Sequence, residues 1–270
     1  MIGLLFDVTK CVGCFECVNA CVEANSLGPD MPAPQDSPDG LSSRRWATIV
    51  ARPAGHYLRK QCRHCLEPAC VSVCPVGAMQ KTAAGPVIYD SSRCMGCRYC
   101  MMACPYGIPR YEWAEAIPYV RKCTFCHDRL QSGQKPACVA ACPEQAAIFG
   151  TREELLAEAH YRLEAFPNRY VQKVYGEQEV GGTSVLYISD VPLDYLGVNG
   201  PPGPEPLPDL TQAWLDNVPP ITVGMTLLMA GPYWIIKRRM RLAEARMSNC
   251  DEESLPPGDL KSGPRTTADE

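Results

Sequence analysis

The chain has 270 residues and a formal net charge of −4 at pH 7, with 26 Lys and Arg against 30 Asp and Glu. That length allows one large domain or two small ones, and the slightly acidic balance gives nothing that argues for a nucleic-acid partner. Seventeen cysteines are an extreme count, and sixteen of them fall in four groups of four before residue 143.

Group one is Cys11, Cys14, Cys17 and Cys21, in C-x2-C-x2-C-x3-C spacing followed by Val22. Residues 28–43 are rich in Pro, Asp, Ser and Gly and read as an exposed loop. Residues 46–52 then alternate enough to predict a strand. Group two is Cys62, Cys65, Cys70 and Cys74, spaced 2-4-3 and closed by Pro75. Residues 87–89 predict another short strand. Group three, Cys94, Cys97, Cys100 and Cys104, repeats the 2-2-3 spacing and ends in Pro105. Group four, Cys123, Cys126, Cys138 and Cys142, is spaced 2-11-3 and ends in Pro143. One unit is thus repeated, with one loop stretched in two of its copies.

Disulfides would have to bridge near neighbours within these runs, and zinc sites use two C-x2-C pairs per ion. Groups one and three fit neither, because each adds a third thiol in step and a C-x3-C end. They have the spacing that holds a [4Fe–4S] cluster, in which three thiolates come from one short loop and the fourth reaches a second cluster. A proline after that fourth cysteine biases its backbone away from the helical region. Sixteen thiolates divide into four complete sets, which predicts four [4Fe–4S] clusters. Nineteen residues separate groups two and three, eighteen separate three and four, and forty separate one and two, so spacing alone allows two to pair with three or three with four. The short Ala- and Val-containing turns after the cysteines offer little apolar mass, so the clusters should supply much of the core and couple ligation to folding.

After Gly150 the cysteines stop. Thr151-Arg-Glu-Glu154 is a capping box opening a helix to about Ala165, with Leu155, Leu156, Ala159 and Leu163 as the face that packs on the cysteine-bearing domain. Residues 183–189 predict a buried strand after Gly181-Gly182. The whole stretch reads as a structural extension. Residues 197–208 are a stiff Pro/Gly linker. Residues 218–236 are nineteen positions without a charge, close to the span of one transmembrane helix. Asp209 and Asp216 precede them, Lys237, Arg238, Arg239 and Arg241 follow, and Tyr233 and Trp234 sit near one end, while Pro219, Pro220 and Pro232 interrupt the run. The basic flank puts the C-terminal end in the cytoplasm and the cysteine-bearing domain on the outer, periplasmic face. Residues 1–10 do not read as a signal peptide. Either the loaded protein is exported as a passenger on a partner that carries a signal, or the domain faces the cytoplasm. Residues 248–270 read as a disordered polar tail, and Cys250 in it as a free thiol of a reducing compartment.

The runs K-C-V-G-C-F-E-C (10–17), Q-C-R-H-C-L-E-P-A-C (61–70), G-C-R-Y-C-M-M-A-C-P-Y-G (96–107) and K-C-T-F-C-H-D-R (122–129) resemble those of a known family. It comprises the four-cluster ferredoxin-like electron-transfer subunits of membrane oxidoreductases, such as formate dehydrogenase, dimethyl sulfoxide reductase, polysulfide reductase and some nickel–iron hydrogenases. G-G-T-S-V-L-Y-I-S-D-V-P (181–192) and the C-terminal anchor resemble the branch of formate dehydrogenase beta subunits and hydrogenase-2 type iron–sulfur subunits. The resemblance implies an α+β fold of two nested two-cluster ferredoxin-like modules over 1–150, then the extension (151–196), linker (197–217), transmembrane anchor (218–237) and polar tail (238–270). It also implies nested ligation. Cluster 1 would take Cys11, Cys14, Cys17 and Cys142; cluster 2, Cys21, Cys123, Cys126 and Cys138; cluster 3, Cys62, Cys65, Cys70 and Cys104; cluster 4, Cys74, Cys94, Cys97 and Cys100. The first would lie nearest the catalytic subunit and the fourth nearest the membrane. Val22 after Cys21 departs from the pattern without changing a ligand.

Lys10, Arg63, Arg93, Arg98 and Lys122 abut ligands and would raise cluster potentials or simply be solvated; His64 and His127 read as outer donors or surface residues. No nucleotide fingerprint and no Ser/His/Asp arrangement appears, so no catalytic residue is named. The expected role is a non-catalytic relay between a catalytic subunit, either a nickel–iron hydrogenase or a molybdopterin enzyme, and a membrane cytochrome b or quinone-binding subunit. The alternative is a soluble polyferredoxin shuttling electrons between partners.

Overall fold

A computed structural model describes residues 1–29, 39–51, 55–193 and 202–253. Of the expected loop at 28–43, linker at 197–208 and tail at 248–270, residues 30–38, 197–201 and 254–270 lie outside that description. The chain forms two compact units, Met1–Thr211 and Gln212–Glu270.

The first unit is mixed helix and strand, and its centre is a three-stranded sheet in the order β8-β1-β9. β1 (Ile2–Asp7) runs antiparallel to β8 (Ala147–Thr151) and parallel to β9 (Val185–Ile188). Successive side chains of a strand point to opposite faces, and β1 is apolar on both. Leu5 joins Leu186 and Ile188 under α6 (Arg152–Ala165), whose Leu155, Ala159 and Leu163 are buried there. Leu4 and Phe6 face the other way, into a cluster with Val8, Phe125, Val185 and Tyr187 against which Cys11 and Cys142 pack. The sheet therefore has a side packed on α6, apolar apart from Asp7 at the end of β1, and a side that borders thiols. The predicted capping box is present: the Glu154 N–H donates to the Thr151 hydroxyl at 3.3 Å and the Thr151 N–H to the Glu154 carboxylate at 3.1 Å.

The remaining strands are short hairpins. β2 (Ala47–Ala51) pairs with β3 (Tyr57–Gln61), β4 (Met79–Lys81) with β5 (Val87–Tyr89), and β6 (Arg110–Tyr111) with β7 (Val120–Arg121). Each cysteine group carries one or two short helices: α1 (Glu16–Ala24), α2 (Ala69–Ser72), α3 (Tyr99–Met102), α4 (His127–Gln131) and α5 (Ala137–Ala140). The extension does more than cover the sheet. Its 182–185 backbone bonds residues 63–66, with Leu66 N–H donating to Gly182 O and Val185 N–H to Arg63 O, so β9 runs on into the loop of group two.

The described residues of the second unit, 212–253, are helical and lie within α7 (Asp209–Glu253), which passes through Pro219, Pro220 and Pro232. Residues Asp209–Arg246 of that helix have a mean hydropathy of 1.2 over their most apolar window, none of it buried, long and apolar enough to cross a membrane. Leu227, Leu228, Tyr233 and Trp234 are all exposed.

Candidate metal centres

Two of the cysteine loops begin in the same way. Asp7 and Asp90 each cap a one-turn helix by accepting from the N–H two residues on, Thr9 at 3.1 Å and Ser92 at 2.9 Å. Each turn then delivers the first thiol of a group, Cys11 and Cys94. Asp7 is buried and also accepts from Tyr170 Oη at 2.9 Å and Arg162 Nη1 at 3.1 Å, which ties the entry of group one to the extension.

The residue two places after the first thiol is left-handed in all four groups: Gly13 (φ 70°), His64 (49°), Gly96 (73°) and Phe125 (63°). This turns the backbone so that its N–H can face the first sulfur. Gly96 N–H donates to Cys94 Sγ at 3.4 Å and Phe125 N–H to Cys123 Sγ at 3.3 Å, and Gly13 serves Cys11 in the same way. Ala78 N–H donates to Cys74 Sγ at 3.2 Å. A Cβ on Gly13 would fall 2.6 Å from the Tyr57 ring, so only glycine fits that loop. In groups two and four the position carries a ring instead, and His64 and Phe125 meet edge to face with centroids 4.8 Å apart.

The folded chain brings the groups together in a nested way. Cys11, Cys14, Cys17, Cys138 and Cys142 line one cavity, together with Phe6 and Arg59. Cys62, Cys65, Cys70 and Cys104 line another with Arg63, His64 and Lys122. Cys21 lies beside Cys138 and Cys126, and Cys123 beside Cys21 and Cys138. Cys100 lies beside Cys74, Cys97 and Cys94. Three pairs of thiols near enough to feel each other's charge link these gatherings in series: Cys17 with Cys138, Cys123 with Cys62, and Cys70 with Cys100.

Burial pushes the Cys17 thiol up to about 11 and those of Cys21, Cys70 and Cys100 up to about 12. Neighbouring sulfurs add to the rise, and Cys65 and Cys123 are driven well above the ordinary thiol range for the same two reasons. Thiols so placed ionise only around a cation, which is the condition an iron core meets. Backbone N–H groups aimed at sulfur are the partners a ligating thiolate needs. Among the described residues, no three His, Cys, Asp or Glu side chains converge as ligands of a single ion. A cluster spreads its thiolates over separate irons, so wider gatherings suit it. The donor set therefore fits [4Fe–4S] clusters.

The cations named from sequence differ in environment. Arg63 is buried with its guanidinium 3.8 Å from the centre of the Tyr187 ring. Lys122 is buried and donates to the carbonyls of Val87 and Cys123. Arg93 is exposed and pairs with Asp90 at 3.2 Å, while Arg98 lies over Tyr111 and Trp113. Lys10 is half-buried. His64 is buried, accepts from the Val87 N–H at 2.9 Å and is held well below the usual imidazole range by burial and by Lys122 and Lys81, so it is neutral. His127 sits against Gln131 at the surface. Two cations escaped the sequence reading. Lys81 donates to the His64 and Cys65 carbonyls. Arg59 is buried in β3 beside groups one and four. A charge in a strand ordinarily marks the solvent face, and only its place three residues before Cys62 hinted otherwise.

A 4Fe-4S dicluster domain profile matches residues 54–152, and a second matches residues 10–79. The chain is 42% identical over 269 residues to a protein of Nitratidesulfovibrio vulgaris, covering 94% of this chain and 71% of that one. It is 38% identical over 235 residues to the hydrogenase-2 operon protein HybA of Shigella flexneri, covering 72% of each. It is 36% identical over 238 residues to the formate dehydrogenase iron-sulfur subunit of Haemophilus influenzae, covering 82% of this chain and 74% of the relative.

Proposed function

Since the chain belongs to the 4Fe-4S dicluster iron–sulfur subunits of the hydrogenase-2 and formate dehydrogenase type, we propose that it is their four-cluster relay, passing electrons between a catalytic subunit and a membrane partner. A bound [4Fe–4S] cluster takes up and gives back one electron at a time. In this reading Cys11, Cys14, Cys17 and Cys142 hold the first cluster. Cys21, Cys123, Cys126 and Cys138 hold the second. Cys62, Cys65, Cys70 and Cys104 hold the third, and Cys74, Cys94, Cys97 and Cys100 the fourth. The protein fixes their order, shields them from water and tunes them through N–H groups and buried cations.

The observation that carries the proposal is the gathering of thiols from different groups around shared cavities, linked in series by the electrostatic proximity of Cys17 to Cys138, Cys123 to Cys62 and Cys70 to Cys100. It leaves one line with two ends. Both ends carry exposed apolar side chains: Val12 and Phe15 on the loop of group one, and Met95, Tyr99 and Met102 on that of group three. Such patches fit protein docking. We assign the first to a nickel–iron or molybdopterin catalytic subunit and the second to a cytochrome b or quinone-binding subunit. The apolar run in α7, flanked by Lys237, Arg238, Arg239 and Arg241, would anchor the chain with its C-terminal end in the cytoplasm and the clusters on the outer face.

Anaerobically purified protein is expected to contain about sixteen irons and as many sulfides, from four clusters, and to need detergent for solubility. Replacing Cys97 should remove one paramagnetic signal and stop quinone-linked turnover. Unchanged turnover in that variant rules out the relay, and full solubility without detergent selects the shuttling polyferredoxin instead.

A further inference from the structure

Arg59 is one of the largest side chains in the protein to be fully buried. Its strand cannot shift to expose it. Arg59 is paired with Ile49 across the β2–β3 hairpin, and its carbonyl accepts from Tyr187 Oη at 2.9 Å. Among the described residues no carboxylate forms an ion pair with it, and its Nε finds no protein hydrogen-bond partner. A guanidinium stays charged in any protein, and a buried charge without a counter-charge is strongly unfavourable.

Among the described residues, the counter-charge at hand for Arg59 comes from sulfurs of two gatherings; Glu144 lines the same cavity but is exposed to solvent. Cys11 and Cys17 belong to one, and Cys21, Cys126 and Cys138 to the other. Neutral thiols would leave the cation unmatched. Thiolates wrapped around an iron core carry net negative charge, and reduction adds to it.

We propose that Arg59 is the shared counter-charge of the first two clusters, raising both potentials together and so keeping the first transfer step level. This rests on the ligand assignment above. It treats Arg59 as a positioning charge that touches no partner and no substrate. Because one side chain faces both clusters, its removal must lower two potentials and spare two.

The test is a redox titration followed by paramagnetic resonance on the intact complex, with signals assigned through Cys14→Ser and Cys126→Ser. Arg59→Met removes the charge at similar length, Arg59→Gln keeps polarity, and Arg59→Lys keeps the charge. The expected result is a fall of both assigned potentials in the Met and Gln variants at full iron content, no movement of the other two, and rescue in the Lys variant. If Met and Gln block iron uptake while Lys permits it, the counter-charge is again supported. Unmoved potentials, a shift confined to one cluster, an equal shift of all four, or failure of the Lys variant alongside the others would overturn the proposal. Wild-type protein without iron would overturn the ligand assignment itself, which is a separate and visible failure.

Discussion

The two halves of the cysteine-bearing unit solve the same packing problem differently. Around groups one and four stands the β8-β1-β9 sheet with α6, and Leu5, Leu186, Ile188, Tyr187 and Ala159 are wholly excluded from solvent. The thiols border this core without composing it. Around groups two and three the sheet structure consists of the small ribbons β4–β5 and β6–β7, with the edge of the extension laid against the loop of group two. There Cys100 and Cys62 are themselves core members, joined by Met79 and Val120 in one cluster and by Leu41, Tyr106 and Ile108 in the other, with Cys65, Cys70, Cys74 and Cys104 packed around. The difference teaches that apolar mass and metal are alternative sources of order. Hairpins of two or three residues a side are not stable in water without something to pack on.

Removing iron should break the symmetry most. Structural metal sites contribute on the order of 10 kcal/mol to small domains that lack a core. After anaerobic chelation, amide hydrogen exchange is expected to open β4–β5 and β6–β7 while β1, β8 and β9 keep their protection. Equal loss of protection in both halves would mean that the sheet also depends on the clusters, and the contrast would be gone.

A pair of truncations sharpens it. Leu186 and Met79 are both buried, the first between Leu5 and α6, the second beside Cys100. Leu186→Ala should cost about 2–5 kcal/mol, the range for deleting a buried apolar side chain, and should do so with or without iron. Met79→Ala should destabilise only the loaded protein, because its surroundings are already open once iron leaves. Denaturant unfolding of both variants in both states checks this. A Met79→Ala cost that survives chelation would show that the ribbons hold their own core.

These contrasts also explain what could be read from the chain. The cysteine groups, the box Thr151–Glu154 and the stripe Leu155, Ala159, Leu163 are local signals, each legible within a few residues. β1 is not, because residues 2–7 carry apolar side chains to both faces and their partners lie near residues 150 and 186. Nor is the left-handed turn after each first thiol: Gly13 and Gly96 suggest it, but His64 and Phe125 adopt it as residues that rarely do, in a fold where their rings pack edge to face. Spacing left the pairing of the groups open, and the nested neighbourhoods are a property of the folded chain. Arg59 was hidden for a similar reason, since a strand pattern reports which face is wet only where both faces do not end in sulfur.

The smallest expected effect lies at the seam between the halves. The Asp39 carboxylate receives Arg110 Nη2 at 2.7 Å from β6 and Lys60 Nζ at 2.7 Å from β3, and the Leu41 N–H at 3.1 Å. Burial alone would push its acidity down, but these hydrogen bonds and the charge of Arg110 outweigh it and hold the carboxyl below the ordinary range. A native value below the unfolded one means that the stabilisation is complete above pH of about 4 and is lost as pH falls through the lowered native value. Asp39 is half-buried, so solvent screening limits the pairs to about 0.2–1 kcal/mol. Asp39→Asn should therefore bleach its clusters slightly faster than wild type between neutrality and mild acid, with the two rates converging below the carboxylate range. A difference that persists undiminished into strong acid would assign the effect to altered packing around Leu41 and remove the ion pairs as the tie between sheet and ribbons.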